Sequence, residues 1–443
     1  MNIYMIPFKV YYSNINEKWK DVTFTSGFVS TSLKKEGNII IQPDKKYQKH
    51  MGFGGAFTDA TAENFNKLNE QDKERFINAY FSKDGLNYNL GRYPIQSTDF
   101  SSYSYNYLGQ GVKDLTSIDL SVDNQKIDLV KRCNNAAGKL NLMMSVWSPL
   151  EWMKDNKSLY HGGHLLYDFY QPWAKYLASV ADGLINKGIN ITAITSQNEP
   201  EASQTWESCI YSPKEEGRFV NYLYDELSKM KRDTIHIYLV DHNRDLLPNR
   251  VNQTLSVCKA PIYGIAYHWY DHSCFENLTK THNLYPNYHL LMSECCVELL
   301  VDQNPIGSIE HAEKYAYEMI QDFNNYSEGY IDWNLLLDER GGPNHVGNYC
   351  ESPIMLEGDS FKINPTYYYI GHFSKFIKPG SVRIGVINNS QLDVTAYLTP
   401  EGKTIIVILN KNDFNVMETM ITGEYSSFLI NMKPHSIITM ESI

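Results

Sequence analysis

Between about residue 46 and residue 380 the chain repeats one rhythm: a short apolar, β-branched or aromatic run, a turn, then a helical stripe. Strand-length runs lie near Gly52–Gly55, Asn87–Arg92, Leu140–Val146, Ile191–Ser196, Ile235–Val240, Ile262–Tyr267, His289–Met292 and Tyr330–Leu335. Several are almost continuously apolar, as strands covered on both faces must be. Gln71–Phe81, Ser121–Ala137, Tyr170–Asn186, Pro213–Lys231 and Ser308–Phe323 carry apolar residues at three-and-four spacing. In the third of these, Tyr170, Trp173, Leu177, Val180 and Leu184 fall on one stripe. Pro172 and Pro213 stand where a first helical turn tolerates proline, and Ser308 is placed to cap the last helix. Strands alternating with helices form a parallel sheet with right-handed crossovers. Eight such units in a chain of 443 residues predict a closed (β/α)8 TIM barrel over 46–380.

The two ends read differently. From Ser381 onward come short strands separated by turns: Ser381–Ile387, Gln391–Leu398, Lys403–Asn410, Glu418–Ile421, Ser426–Met432 and Ser436–Met440. The first 45 residues also read as strands, for example Val22–Thr25 and Ile39–Gln42. Neither end has enough strands to bury two faces, so 1–45 and 381–443 are expected to share one appended β-sandwich.

Charge and motifs narrow the chemistry. Lys+Arg 40 against Asp+Glu 51 gives −11, with no local basic patch, which argues against nucleic acid as a partner. No run approaches the roughly 20 apolar residues that span a bilayer, so no integral membrane association is expected. The opening residues lack a basic stretch followed by an apolar one. Seven scattered cysteines form no disulfide framework, and a reducing cytoplasm is the expected location. No nucleophile elbow, phosphate-cradling loop or spaced metal ligands occur, so no cofactor and no metal are expected. Gly52-Phe53-Gly54-Gly55 reads as a tight turn at the end of the first strand.

In such a barrel, function collects at the C-terminal ends of the strands. Strand two ends at Arg92 and leads to Asp99. Strand three ends in Val146-Trp147, strand four in Gln197-Asn198-Glu199-Pro200, and strand six in Tyr267-His268-Trp269-Tyr270. Strand seven ends in Met292-Ser293-Glu294, and strand eight carries Asp332-Trp333-Asn334. Glu199 and Glu294 then face each other across the rim, and a carboxyl pair is what glycoside hydrolysis needs. Arg92 is the natural partner of Glu294, as electrostatic support or as a structural rim bridge. Trp147, Trp269, Tyr270 and Trp333 are either sugar platforms or core. His268 reads as a hydrogen-bonding residue of the substrate site rather than a metal ligand.

At these residues the chain resembles glycoside hydrolase family 30, the glucosylceramidase-like members of the clan A retaining hydrolases. The matching stretches run in order: Gly52 to Ala60, Arg92-Tyr93-Pro94 leading to Asp99, Trp147-Ser148-Pro149, Asn198-Glu199-Pro200, His268-Trp269-Tyr270, Ser293-Glu294, Trp333-Asn334-Leu335, and Gly341-Gly342-Pro343-Asn344 leading to Asn348. The resemblance implies Glu199 as acid/base and Glu294 as nucleophile. It implies that Asn198 holds the sugar's 2-hydroxyl, and that Asp99, Trp147, Trp333 and Asn348 hold the glycone. The expected activity is retaining, exo-acting hydrolysis of neutral β-glucosides. The alternatives are β-xylosidase, β-fucosidase or β-1,6-glucanase activity, or a carbohydrate-binding protein on an inactive barrel. The presence of both glutamates favours an enzyme.

Overall fold

The computed structural model describes residues 8–23, 28–30, 38–109, 111–422 and 426–443. Eight parallel strands close into a barrel in chain order: Gly52–Ala56, Leu90–Ile95, Asn141–Val146, Ile191–Thr195, His236–Asn243, Gly264–His268, His289–Glu294 and Gly329–Asn334. Each expected strand is present. The second begins later than its apolar pattern suggests and runs through Pro94, a residue that argues against a central strand. Met143, Ala193, Tyr238, Ala266, Leu291 and Ile331 pack into one buried cluster that plugs the barrel. Chemistry is therefore confined to the mouth.

The five expected helices form, with small shifts. Ser212 caps Pro213–Lys229 through a reciprocal capping box with Glu215, and Ser308 caps Ile309–Asn324. The helix expected from Ser121 starts as a 3-10 turn, Leu120–Asp123, and becomes α-helical at Asn124. Four further helices were not marked by a stripe: Asp59–Lys67, Asn249–Leu255, Glu276–Leu284 and Pro365–Ser374.

Gly52–Gly55 forms a strand, as its place among the strand-length runs predicts, and the tight turn expected at its end is not there. The glycines of this first strand let neighbouring strands approach. A Cβ on Gly54 would lie 2.2 Å from the Leu90 carbonyl oxygen, which is backbone and cannot rotate away. Gly54→Ala is expected to destabilise the barrel by about 1–3 kcal/mol or more. An unchanged Tm in thermal unfolding would overturn this account of the glycine.

Strands from both chain ends share one 10-stranded sheet, ordered Lys20–Asp21, Phe8–Ser13, Ser436–Ser442, Thr404–Asn410, Asp393–Leu398, Val382–Asn388, Ile39–Lys49, Val416–Thr422, Ser426–Met432, Phe28–Ser30. The sheet folds over on itself. Phe8 and Phe428 belong to strands near opposite ends of that order, yet their rings meet edge-to-face at 5.6 Å. Val10, Ile41, Ile384, Ile406, Ile430 and Ile438 lie in the core between the two layers. Ile39–Lys49 stays in this sheet past residue 45, pairing Lys49 with Val382. Of the strand expected at Val22–Thr25, Val22 and Thr23 follow the two-residue strand Lys20–Asp21, while Phe24 and Thr25 lie outside the described residues. Among the described residues no helix is long and apolar enough to cross a membrane.

Candidate active site

A cavity of about 160 Å³ opens at the C-terminal mouth of the barrel. Its wall contains Asp99, Trp147, Asn198, Glu199, Tyr270, Glu294, Trp333 and Asn348, eight of the ten residues that the sequence singles out. Glu199 and Glu294 bring carboxylate oxygens within 4.8 Å of each other. Trp147 and Trp333 stack at 5.1 Å with rings 17° apart, and Phe100 meets Trp333 edge-on. Asn348 donates to Asp99 Oδ2 at 2.9 Å.

The other two singled-out residues lie beneath the floor. Arg92 is fully buried. Its Nη1 donates to Glu294 Oε2, its Nη2 to Asp241 Oδ2 at 2.6 Å and Asn198 Oδ1 at 2.9 Å, and its Nε to Ser145 Oγ at 3.0 Å. The guanidinium also lies 4.9 Å from the Trp147 ring centre and 5.6 Å from that of Trp333. A single cation thus aligns one glutamate, one amide and two aromatic walls. Tyr270 Oη donates to the other oxygen of Glu294 at 3.0 Å.

His268 does not reach the cavity. It is buried between Glu199 Oε1, 3.2 Å from Nδ1, and Asp241 Oδ1, 3.1 Å from Nε2. The expectation that it contacts substrate is corrected: the register of strand six slips between Tyr267 and His268, and both ring nitrogens are committed inside the floor. Of the two readings open for Trp269, core is the one that holds. It is buried, donates to the Cys296 carbonyl and packs against Tyr315 at 4.7 Å, so it is core.

Asp241 is the residue that sequence reasoning undervalued. Its Oδ2 accepts from Arg92 and Thr195, and its Oδ1 from Ser293 and meets His268. It joins the two glutamates into one chain: Glu199, His268, Asp241, Arg92, Glu294. Val240 and Asp241 have φ of 76° and 48°, and the ladder to strand six slips at this point. A β-branched residue in that region is strained, and the bulge turns Asp241 inward. Glu199 is also left-handed, at φ 46°, with its N–H bonded to the Asp241 carbonyl. Gln204, Trp206, His242, Asn243, Cys296 and Glu298 complete the wall; His242 and Asn243 end the fifth strand, Glu298 lies in the short strand Val297–Glu298, and the others lie on loops that carry no periodic signal.

Electrostatics follow from this chain. Burial works against a charge on His268, but Glu294, Asp241 and Glu199 outweigh it and lift the imidazole to about 9. Burial also works against Asp241, yet Arg92, His268 and Ser293 hold it well below the usual carboxylate range. Glu294 is pushed up by burial, with His268 and Arg92 opposing and Glu199 and Asp241 reinforcing. Glu199 is desolvated too, but the hydrogen bond from His268 and the charges of His242, His268 and Arg92 bring it below its ordinary value. Asp99 is raised well above the carboxylate range by burial and by Glu294. The glutamates therefore titrate as a pair, and its macroscopic steps belong to both. Glu199, His268 and Glu294 offer three clustered ligand atoms, but His268 is a double donor and Arg92 already neutralises Glu294. That donor set suits an uncharged polar ligand better than a cation.

The comparisons agree with this architecture. The glycosyl hydrolase family 30 TIM-barrel domain matches residues 50–377, and the family's beta sandwich domain matches residues 380–440. The chain is similar to putative glucosylceramidase 4 of Caenorhabditis elegans, at 33% identity over 93% of this chain and 84% of that protein. It is 32% identical to the lysosomal acid glucosylceramidase of Mus musculus, over 89% of this chain and 81% of the mouse protein. Among solved structures, SrfJ from Salmonella typhimurium superposes with a TM-score of 0.91 at 30% identity, covering 98% of this chain and 99% of SrfJ. Barrel, sandwich and a glutamate pair at the mouth occur together with matches that run through the whole chain. The protein is a glycoside hydrolase and belongs to glycosyl hydrolase family 30.

Proposed function

We propose that the protein is a retaining, exo-acting β-glycosidase that cleaves β-glucosides by double displacement. The observation that carries this reading is the opposed glutamate pair, with oxygens within 4.8 Å. Single displacement needs carboxyls roughly 6.5–9.5 Å apart to admit a water, whereas a covalent intermediate needs about 5–5.5 Å. A cavity of about 160 Å³ suits one terminal sugar ring, which favours release from a chain end.

Glu294, fixed through one oxygen by Arg92 and through the other by Tyr270, attacks the anomeric carbon. Glu199 protonates the departing oxygen, then removes a proton from the water that releases the sugar. Asn198 stands beside the position of the 2-hydroxyl, and Asp99 with Asn348 takes further hydroxyls. Trp147 and Trp333 bound the ring's apolar face. The reactive form carries one proton on the pair, held by Glu199 when substrate is bound.

The names of the relatives make a β-glucosyl lipid the first natural substrate class to assay. Proton NMR of early product is expected to show the β-anomer of the released sugar before mutarotation; prompt α-anomer would sink double displacement. A panel of β-glucoside, β-xyloside, β-fucoside and gentio-oligosaccharide is expected to favour the β-glucoside. Internal cleavage of the gentio-oligosaccharide would refute exo action.

A further inference from the structure

Two cysteines meet at the wall of the active-site cavity, one lining it and the other buried behind it. Cys296 follows Glu294 by two positions and lines the cavity. Cys350 begins the short strand Cys350–Glu351, which pairs antiparallel with Val297–Glu298. Their Sγ atoms are 2.9 Å apart, both residues are buried, and both are free thiols. They belong to the same apolar cluster as Trp147, Trp333 and Phe100. The Tyr270 hydroxyl lies 3.4 Å from Cys296 Sγ and 3.0 Å from Glu294 Oε1.

We propose that Cys296 and Cys350 are a modification site, a dithiol that a peroxide converts to an intramolecular disulfide, altering the glycone side of the active site. The geometry is nearly complete: the sulfurs need only close from 2.9 Å to the bonded distance of about 2.05 Å. The opposed strands already hold the two segments together. Cys296 faces the cavity, through which a molecule as small as hydrogen peroxide can reach it. Its sulfur attacks one peroxide oxygen; the O–O bond breaks, a sulfenic acid forms and water leaves. The Cys350 sulfur then attacks that sulfur; the S–O bond breaks, the S–S bond forms and a second water leaves. In total two thiols lose two electrons and two protons, and the peroxide is reduced to two waters. Burial pushes both thiols above their ordinary range, so the first step is expected to be faster at alkaline pH.

The modification has a route to the chemistry. Drawing Cys296 toward Cys350 takes its sulfur away from Tyr270, the residue that donates to Glu294. It also ties down the segment that carries Asn348, two positions before Cys350, where it meets Asp99.

The full-length protein is treated with hydrogen peroxide, digested without reductant and mapped by mass spectrometry. Expected is a loss of about 2 Da and a linked peptide pair containing Cys296 and Cys350, both reversed by dithiothreitol. kcat/KM on a chromogenic β-glucoside is expected to fall about tenfold or more and to recover with dithiothreitol. Cys350→Ala is expected to show neither the linkage nor the reversible loss. Peroxide-treated, folded wild type without a 296–350 linkage would overturn the proposal, as would a linkage that leaves kcat/KM unchanged. The mapping needs no turnover, so a failure to hydrolyse any β-glycoside counts against the proposed function and leaves the thiol result standing.

Discussion

Glu294→Gln is expected to lose turnover by about ten-thousand-fold while the protein stays folded. The amide has nearly the shape of the carboxylate but cannot form the glycosyl ester on which double displacement depends. Folding is protected because Arg92 keeps Asp241, Asn198 and Ser145 as acceptors, and Tyr270 can still donate to the amide oxygen. Removing the buried partner of one guanidinium nitrogen is therefore milder than stranding a whole buried charge. Azide separates the two roles. In Glu199→Ala, with an activated leaving group, the glycosyl-enzyme still forms, and azide entering the space left by the side chain is expected to give the β-glycosyl azide. In Glu294→Ala the azide replaces the nucleophile itself and is expected to give the α-azide. If the two variants exchange products, Glu199 and Glu294 exchange roles.

Why some of this site is legible in sequence and some is not comes down to what a strand pattern records. Parallel barrel strands are covered on both faces, so their apolar runs stop abruptly where the mouth begins. Glu199, Glu294 and Trp147 stand at such stops and are readable for that reason, whereas Arg92 sits mid-strand in Leu90–Ile95 and looks like a strand end only because the pattern places that strand too early. Asp241 stands at one too, after Ile237-Tyr238-Leu239-Val240, but its inward direction depends on a strained bulge that no alternation of residue types reveals. The same slip in register puts His268 in the floor and Trp269 in the core, although both look like mouth residues by position. Pro365–Ser374 was invisible as a helix for a different reason. It is buried over most of its circumference and rich in aromatics, so it has neither a stripe nor strong helix formers. The wall residues Gln204 and Trp206 come from a loop, where nothing periodic exists to be read.

Arg92→Met is expected to change both stability and the pH profile. The side chain is buried between Asp241 and Glu294, so methionine keeps the bulk and leaves two carboxylates without their shared cation. Breaking buried pairs of this kind costs about 3–5 kcal/mol at neutral pH, and Tm should fall accordingly. The sign of the pH dependence is specific. In the native protein Asp241 is held below its unfolded pKa, so it contributes stability above pH about 4 that is lost as pH falls. Without the arginine that contribution shrinks. Glu294, already raised by burial, rises further, so its ionised form destabilises the fold above the unfolded pKa, and acid relieves it. The Tm deficit of the variant should therefore be largest at neutral and alkaline pH and should narrow on acidification toward pH about 4. In kinetics, the acid limb of kcat/KM reports loss of the first proton from the glutamate pair in the free enzyme. Arg92 bonds directly to Glu294 and also acts on Glu199 at longer range, so without its charge the protonated pair is favoured and that limb should move to higher pH. A purely structural arginine would lower Tm and leave both limbs in place. An unmoved acid limb in a variant that is folded at the assay temperature would remove Arg92 from the electrostatics of the reaction and leave it as the bolt between strands two, five and seven.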